Sequence, residues 1–345
     1  MTLSKQFLQS ELLRPSVLLI LGTLLFMGVS VYVPGFKGLV VIVGCLAAFV
    51  IGEKIGFKKF KAKLNFDLKK VRTWSLIVFA IALASLYFDF YSAGGIPLFN
   101  TAIRRFLNPW LTSIAFLMVP ASALLISTLK KNAKLKTIAL ILFTAGMMAL
   151  LGYRTEVLAA LISGGLVAYY CEIFEAKEAL AIALVAILAF TGMTLMRGGL
   201  QNYRFATTLG AFDFIAEETG SFGLTHGSVQ FADVVKMIAK EPVVGGRHLI
   251  ASIIGGRPGV SITSTLYGPP FADFGVFALI EFLLLGLLAG GLYKFAKEKK
   301  GVFAAAHAIV LTFLLLGIET GITDLIIWIY FVLGGGLLVY SNFKK

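Results

Sequence analysis

Long apolar runs recur along the chain, each closed by a short polar stretch, and their lengths decide the first question. A helix needs about 20 largely apolar residues to cross the hydrocarbon core of a bilayer. Runs of that kind occupy about 16–33, 39–52, 74–90, 110–128, 137–152, 157–172, 179–197, 271–293, 301–318 and 325–341. The pattern predicts an all-α integral membrane protein of about ten transmembrane helices, a single polytopic domain over 1–345. The pairs meeting around Gly35 and Arg154 are close enough in sequence to be tight hairpins.

One interval breaks the rhythm. From about Gly198 to Pro270 the chain is polar enough to leave the membrane, giving one large outer loop, 198–270. Ser228 is placed to cap a helix whose Phe231, Val234, Val235 and Ile238 share an apolar face, ending at Pro242. Further on come Gly245-Gly246-Arg247-His248 and Gly255-Gly256-Arg257-Pro258-Gly259, whose leading glycine pairs bracket about eight mostly apolar residues. Glycine pairs at that spacing predict a short re-entrant or buried helix, tolerated at membrane depth only where protein or a wet cavity satisfies the backbone.

Composition agrees: 58% of the 345 residues are hydrophobic and 14% charged, against about a quarter charged in soluble proteins. The formal net charge of +13 would point to nucleic acid in a soluble protein. Here the lysines sit in short loops beside apolar runs, where anionic headgroups and topology account for them. Cys45 and Cys171 lie in or beside apolar segments, with no zinc-like spacing and no expected disulfide. The first apolar run ends in Val-Tyr-Val-Pro-Gly rather than a small-x-small cleavage site, so it is expected to stay as an anchor.

The positive charges sort by type. Eight basic residues fall between Lys54 and Arg72, and further lysines lie at 130–136, 294–300 and 344–345; all share one side of a ten-span thread. By the positive-inside rule that side is cytoplasmic, with both termini on it. Seven of the nine arginines fall on the other side: Arg104, Arg105, Arg154, Arg197, Arg204, Arg247 and Arg257. Guanidinium forks bind phosphate oxygens bidentately, so arginines kept on the translocated face imply an anionic substrate there. Each alone is equally an interfacial arginine snorkelling to headgroups. As a group they gain weight, because glycines before Arg247 and Arg257 permit close backbone approach.

Candidate proton-transfer groups are few. His248 follows Arg247 directly and suits a general base beside a bound diphosphate; a loop histidine bonded to backbone is the plainer alternative. Asp273, at the entrance to a span, is the second candidate, and Glu319 and Asp324 flank a short outer turn. Glu281 falls inside a span, where a hydrogen-bonding role is expected for an ionisable group. No Asp-x-Asp pair and no phosphate-binding nucleotide fingerprint occurs, so no catalytic metal and no cofactor are expected.

Three stretches resemble the oligosaccharide repeat-unit polymerases, the Wzy or O-antigen polymerase-like family. They are Gly94-Gly95-Ile96-Pro97-Leu98-Phe99 followed by Arg104-Arg105; Gly152-Tyr153-Arg154 ahead of a span; and Thr263-Ser264-Thr265-Leu266-Tyr267-Gly268-Pro269-Pro270 with Asp273-Phe274-Gly275 opening the next helix. Arg257 to Gly268 and Arg154 to Gly165 also fit the family's loose arginine, ten residues, glycine spacing. The resemblance implies transfer of a growing glycan from its polyprenyl diphosphate carrier to the next lipid-linked unit, at the extracytoplasmic face of the cytoplasmic membrane. Implied partners are that lipid-linked oligosaccharide and membrane lipids, with a chain-length regulator and a flippase as further candidates, and no nucleic acid. On this reading Arg247 and Arg257, helped by Arg154, Arg197 or Arg204, hold the diphosphate. His248 or Asp273 takes the acceptor hydroxyl's proton.

Related ligases, which pass a finished glycan to another acceptor, use similar outer arginines and a histidine; the Gly-Gly-Ile-Pro-Leu stretch favours a polymerase. A transporter or flippase of lipid-linked oligosaccharide is the non-enzyme alternative, and predicts internal repeats and charges within several spans. Only Glu281 is clearly embedded and no repeat is apparent.

Overall fold

A computed structural model describes residues 13–195, 203–232, 234–235, 245–257 and 259–343. The described residues are helical and contain no strand. A helix lies on each of the ten apolar runs: α1 (Pro15–Ser30), α2 (Phe36–Lys59), α3 (Leu68–Ala93), α4 with α5 (Pro109–Phe116 and Met118–Ser127), α6 (Lys134–Leu150), α7 (Arg154–Tyr170), α8 (Ala176–Leu195), α12 (Ala278–Lys299), α13 (Val302–Thr320) and α14 (Leu325–Phe343). Between α8 and α12 come α9 (Tyr203–Glu218), α10 (Gly246–Ile253) and α11 (Gly268–Phe274).

Among the described residues, six helical stretches are long and apolar enough to cross a membrane: Phe36–Lys59, Leu68–Ala93, Pro109–Ser127, Gly268–Lys299, Val302–Thr320 and Leu325–Phe343. The protein is therefore a multi-pass membrane protein, with six of the ten expected spans meeting that criterion among the described residues. Pro15–Ser30 has 16 residues, and α6 and α7 have 17 each, at or below the shortest helices that span the core.

The helix ends follow local chemistry. Pro15 and Pro109 occupy first-turn positions of α1 and α4, where a missing N–H costs nothing. Asp67 caps α3 by accepting from the Lys69 and Lys70 N–H groups at 2.9 and 3.4 Å. Gly94 closes the same helix in the left-handed region.

The chain divides into two compact units. Unit one comprises 1–60, 201–293 and 313–340; unit two comprises 61–200, 294–312 and 341–345. In unit two, α3 packs on α4 and α5, α5 on α6 and α7, and α7 on α6 and α8. In unit one, α9 packs on α1, α2 and α11.

A second contact in unit one brings two backbones together. A Cβ on Gly52 or Gly56 of α2 would collide with the Leu283 or Leu287 carbonyl of α12, and one on Gly286 or Gly290 would collide with the Phe49 or Glu53 carbonyl. Small residues four apart on both faces let membrane helices approach this closely, and van der Waals contact then replaces the absent hydrophobic drive. Residue numbers rise together along the interface, so α2 and α12 run in the same direction. Each carries lysines in its last turn.

Candidate active site

Two arginines far apart in sequence are drawn to one corner of unit one, where α13 hands over to α14. Arg204, in the first turn of α9, places Nε 3.0 Å from Glu319 Oε1. Arg247, in the first turn of α10, donates from Nη2 to Asp324 Oδ2 at 2.8 Å and from Nε to Thr323 Oγ1 at 3.4 Å. Gly246 makes the second approach possible: a Cβ there would collide with the Val229 carbonyl and lie 3.3 Å from Thr323. Both pairs are partly exposed, with arginine side chains 49% and 31% accessible. A guanidinium has five N–H donors, and Arg247 uses two of them here.

The chain after α10 turns back along that helix. The Val260 N–H donates to the Arg257 carbonyl at 3.2 Å and the Ile262 N–H to the Arg247 carbonyl at 3.1 Å. Thr263 then meets Thr208 of α9 through their hydroxyls at 2.9 Å, and Tyr267 meets Thr23 of α1 at 2.6 Å. This return places the Val260 carbonyl 2.8 Å from His248 Nδ1. A carbonyl only accepts, so Nδ1 is the donor in this contact, and Nε2 is left outside it. His248 is exposed. Arg257 is also exposed and makes no ion pair among the described residues. Glu319 and Asp324 balance Arg204 and Arg247, so of these three arginines Arg257 is the one without an ion pair among the described residues.

Asp273 stands in a different setting. It is fully buried, its Oδ1 accepts from Thr225 Oγ1 at 2.6 Å and the Val229 N–H at 3.0 Å, and its Oδ2 accepts from the Gln230 N–H at 2.9 Å. With both oxygens engaged and no exposure, it fastens the 225–230 turn to α11. The geometry does not suit the base role expected of it from sequence. Gln230 passes the same support inward, donating from Nε2 to Glu281 Oε1 at 2.8 Å. The helix expected to start at Ser228 is not seen there: 228–231 form a turn and bend, helix is described only at 232 and 234–235, and 233 and 236–244 lie outside the described residues.

Arg197 also lies outside the described residues. Arg154 belongs to unit two, where it opens α7 and is buried, at 8% exposure. The neighbouring Tyr153 ring carries the Arg104 guanidinium 4.5 Å from its centroid, a cation–π contact. The Leu98 N–H reaches the Leu150 carbonyl at 3.1 Å. Unit two thus joins the Gly94–Phe99 stretch, Arg104 and the Gly152-Tyr153-Arg154 turn, which are some fifty residues apart in the chain.

Aspects of the wider scaffold escaped the sequence reading. Asp213 of α9 accepts from Tyr32 Oη at 2.7 Å and the Gly35 N–H at 2.8 Å, and Lys37 Nζ reaches the Glu217 carbonyl at 2.7 Å. The Asp213 hydrogen bond is the main cause that pushes the Tyr32 phenol up to about 12, followed by burial and the carboxylate charge. These contacts lock α9 to the α1–α2 turn; separations of about 180 residues left no spacing signal to read.

Residues 11–331 match the model of a family described as "Putative O-antigen polymerase". The chain belongs to that family. Membership carries a polymerase-like role, with a lipid-linked oligosaccharide as the implied substrate class. Two uncharacterized proteins of Methanocaldococcus jannaschii are similar to the chain. MJ0419 is 29% identical over 306 residues, covering 85% of this chain and 84% of its own length. MJ0420 is 24% identical over 283 residues, covering 82% and 67%. No solved structure matches the chain.

Proposed function

We propose that this O-antigen polymerase family member extends a glycan on a polyprenyl diphosphate carrier at the extracytoplasmic face of the cytoplasmic membrane, with both termini cytoplasmic. The acceptor hydroxyl oxygen of the next lipid-linked unit attacks the anomeric carbon of the growing chain. A C–O bond forms, the bond from that carbon to the carrier's diphosphate oxygen breaks, and the polyprenyl diphosphate leaves. His248 Nε2 accepts the hydroxyl proton, while Arg247 and Arg257, with Arg204 alongside, receive the negative charge developing on the departing oxygen. Arg197 and Arg154 remain proposed phosphate contacts.

The observation carrying this reading is the anchored histidine. The Val260 carbonyl holds Nδ1 of the residue next to Arg247, which orients the exposed ring and leaves Nε2 outside that bond. Electrostatic stabilisation by arginine suits a glycosyl diphosphate, which already has a good leaving group. The reading assigns Asp273 to holding the 225–230 turn rather than to proton transfer.

The test is an in vitro reaction of purified protein with its lipid-diphosphate-linked repeat unit, in the presence of EDTA, resolved by gel. A ladder spaced by one repeat is expected. Intact monomer, from folded protein that binds the lipid, would sink the polymerase reading and favour ligation or transport. A ladder that requires magnesium would leave polymerisation standing and remove its metal independence.

A further inference from the structure

Unit two holds a cavity of about 550 Å³ between the first turn of α3 and the connection from α5 to α6. Arg72, Lys130 and Lys136 line it together with Asn132, and no carboxylate does. Other cations of the same region are matched: Lys131 and Lys300 meet Glu172, and Lys134 meets Glu178 at 2.9 Å and Glu175 at 3.5 Å. The three that face the cavity make no ion pair among the described residues. Gathering like charges around a concavity raises their mutual repulsion, and an anion at the centre relieves it.

The start of α6 points the same way. Ala133 supplies no capping side chain, and the first turn contains Lys134 and Lys136 but no acidic residue. Lysine is the unfavourable sign at the positive end of a helix dipole, so the cavity presents a helix end and three side chains that share one unmet preference.

We propose that this cavity binds the phosphate of an anionic lipid headgroup. The shared chemistry is a phosphate ester; the lipid source is favoured by the surface beside it. Trp74 and Leu76 on α3 are 66% and 50% exposed, and Leu135 on α6 is 79% exposed. Tryptophan near a helix end is characteristic of the membrane–water boundary, and apolar side chains exposed beside a cationic hollow fit acyl chains below a headgroup. Within unit two the cavity lies towards the opposite end of α3 from the Gly94–Phe99 stretch, about 33 Å of helix rise from Arg72 to Gly94. It is thus separate from the Arg104 and Arg154 cluster, and the inference does not depend on the proposed reaction.

Native mass spectrometry of the full-length protein, titrated with phosphatidylglycerol in detergent, tests this. Arg72→Gln/Lys130→Gln/Lys136→Gln should weaken binding of the first lipid by about tenfold or more. A control of equal charge change, Lys58→Gln/Lys59→Gln/Lys63→Gln, should weaken it less than twofold. Diacylglycerol, which lacks the phosphate, should not be retained. Full displacement by millimolar glycerol 3-phosphate would assign the site to a soluble phosphate ester; persistence of the lipid would assign it to the membrane. Equal weakening by the two triple variants would overturn the proposal and return these cations to a solvated face. Lys130→Gln alone, an exposed and unpaired position, should lose about threefold, so the idea remains testable if the triple variant fails to fold.

Discussion

The segments 225–230 and 246–262 belong to the same long connection, yet they treat their titratable partners in opposite ways. The first surrounds Asp273 with a hydroxyl and two backbone N–H groups and removes it from solvent. The second fastens only one nitrogen of His248 and leaves the ring exposed. A group with every polar atom engaged has nothing left to offer a substrate; a group held by one atom is oriented and still available. Sequence alone treats both as acid–base candidates, because it shows residue type and neighbourhood but not how many hydrogen bonds each atom makes.

The largest expected effect tests that difference directly. His248→Ala should reduce ladder formation by roughly 10²- to 10⁴-fold, the usual contribution of general acid–base catalysis, with the unfolding temperature unchanged because the side chain is exposed. Asp273→Asn should retain most activity per folded molecule. Full loss of activity in Asp273→Asn at wild-type stability would reverse the two assignments.

Next comes Asp273→Ala, which strands the Thr225 hydroxyl and two buried N–H groups. Each buried group left unsatisfied costs about 1–3 kcal/mol, so a destabilisation of about 3–5 kcal/mol is expected, read as a fall in unfolding temperature and yield. Gly246→Val follows: its branched side chain would collide with the Val229 carbonyl. It should cost about 2 kcal/mol by overpacking and lower activity by displacing α10, which carries Arg247 and His248. Arg247→Lys keeps a positive charge opposite Asp324 but loses the planar fork. A loss of about tenfold in rate at unchanged stability is expected, and an unaltered rate would exclude a bidentate phosphate contact by Arg247.

How far the sequence could be read depends on the range of the signal. Helix positions rest on local hydropathy, and each apolar run carries a helix. Their ends and breaks depend on tighter geometry, as where the span beginning at Gly268 is interrupted at Gly275, a glycine at φ 56° that starts a 3₁₀ turn before Ala278. Hydropathy alone is less decisive about spanning where helices have 16 or 17 residues, because they have the composition of a span at the lower limit of its length. Of the glycines before Arg247 and Arg257, Gly246 meets the Val229 carbonyl and Thr323, which no sequence pattern named, whereas Gly255 has nothing within 4 Å. Arg204 with Glu319 and Arg247 with Asp324 are 115 and 77 residues apart, and no periodicity links such partners. Glu319 and Asp324, on either side of the turn between α13 and α14, pair with Arg204 and Arg247.

The smallest effect comes from a carboxylate that is engaged but not buried. Glu172, in the turn between α7 and α8, accepts from Lys131 and Lys300, and those hydrogen bonds pull its carboxyl from the ordinary range to about 2. Because the folded value lies below the unfolded one, the contribution is complete above about pH 4.5 and fades as pH falls towards 2. The side chain is 47% exposed, so water and salt screen most of that interaction. Glu172→Gln should therefore leave stability at neutral pH within the scatter of surface substitutions and flatten the stability profile between about pH 4.5 and 2. Thermal unfolding at stepped pH and low salt checks this, and a Glu172→Gln penalty at pH 7 as large as that of Asp273→Ala would mean that engagement alone, without burial, sets the cost of losing a carboxylate here.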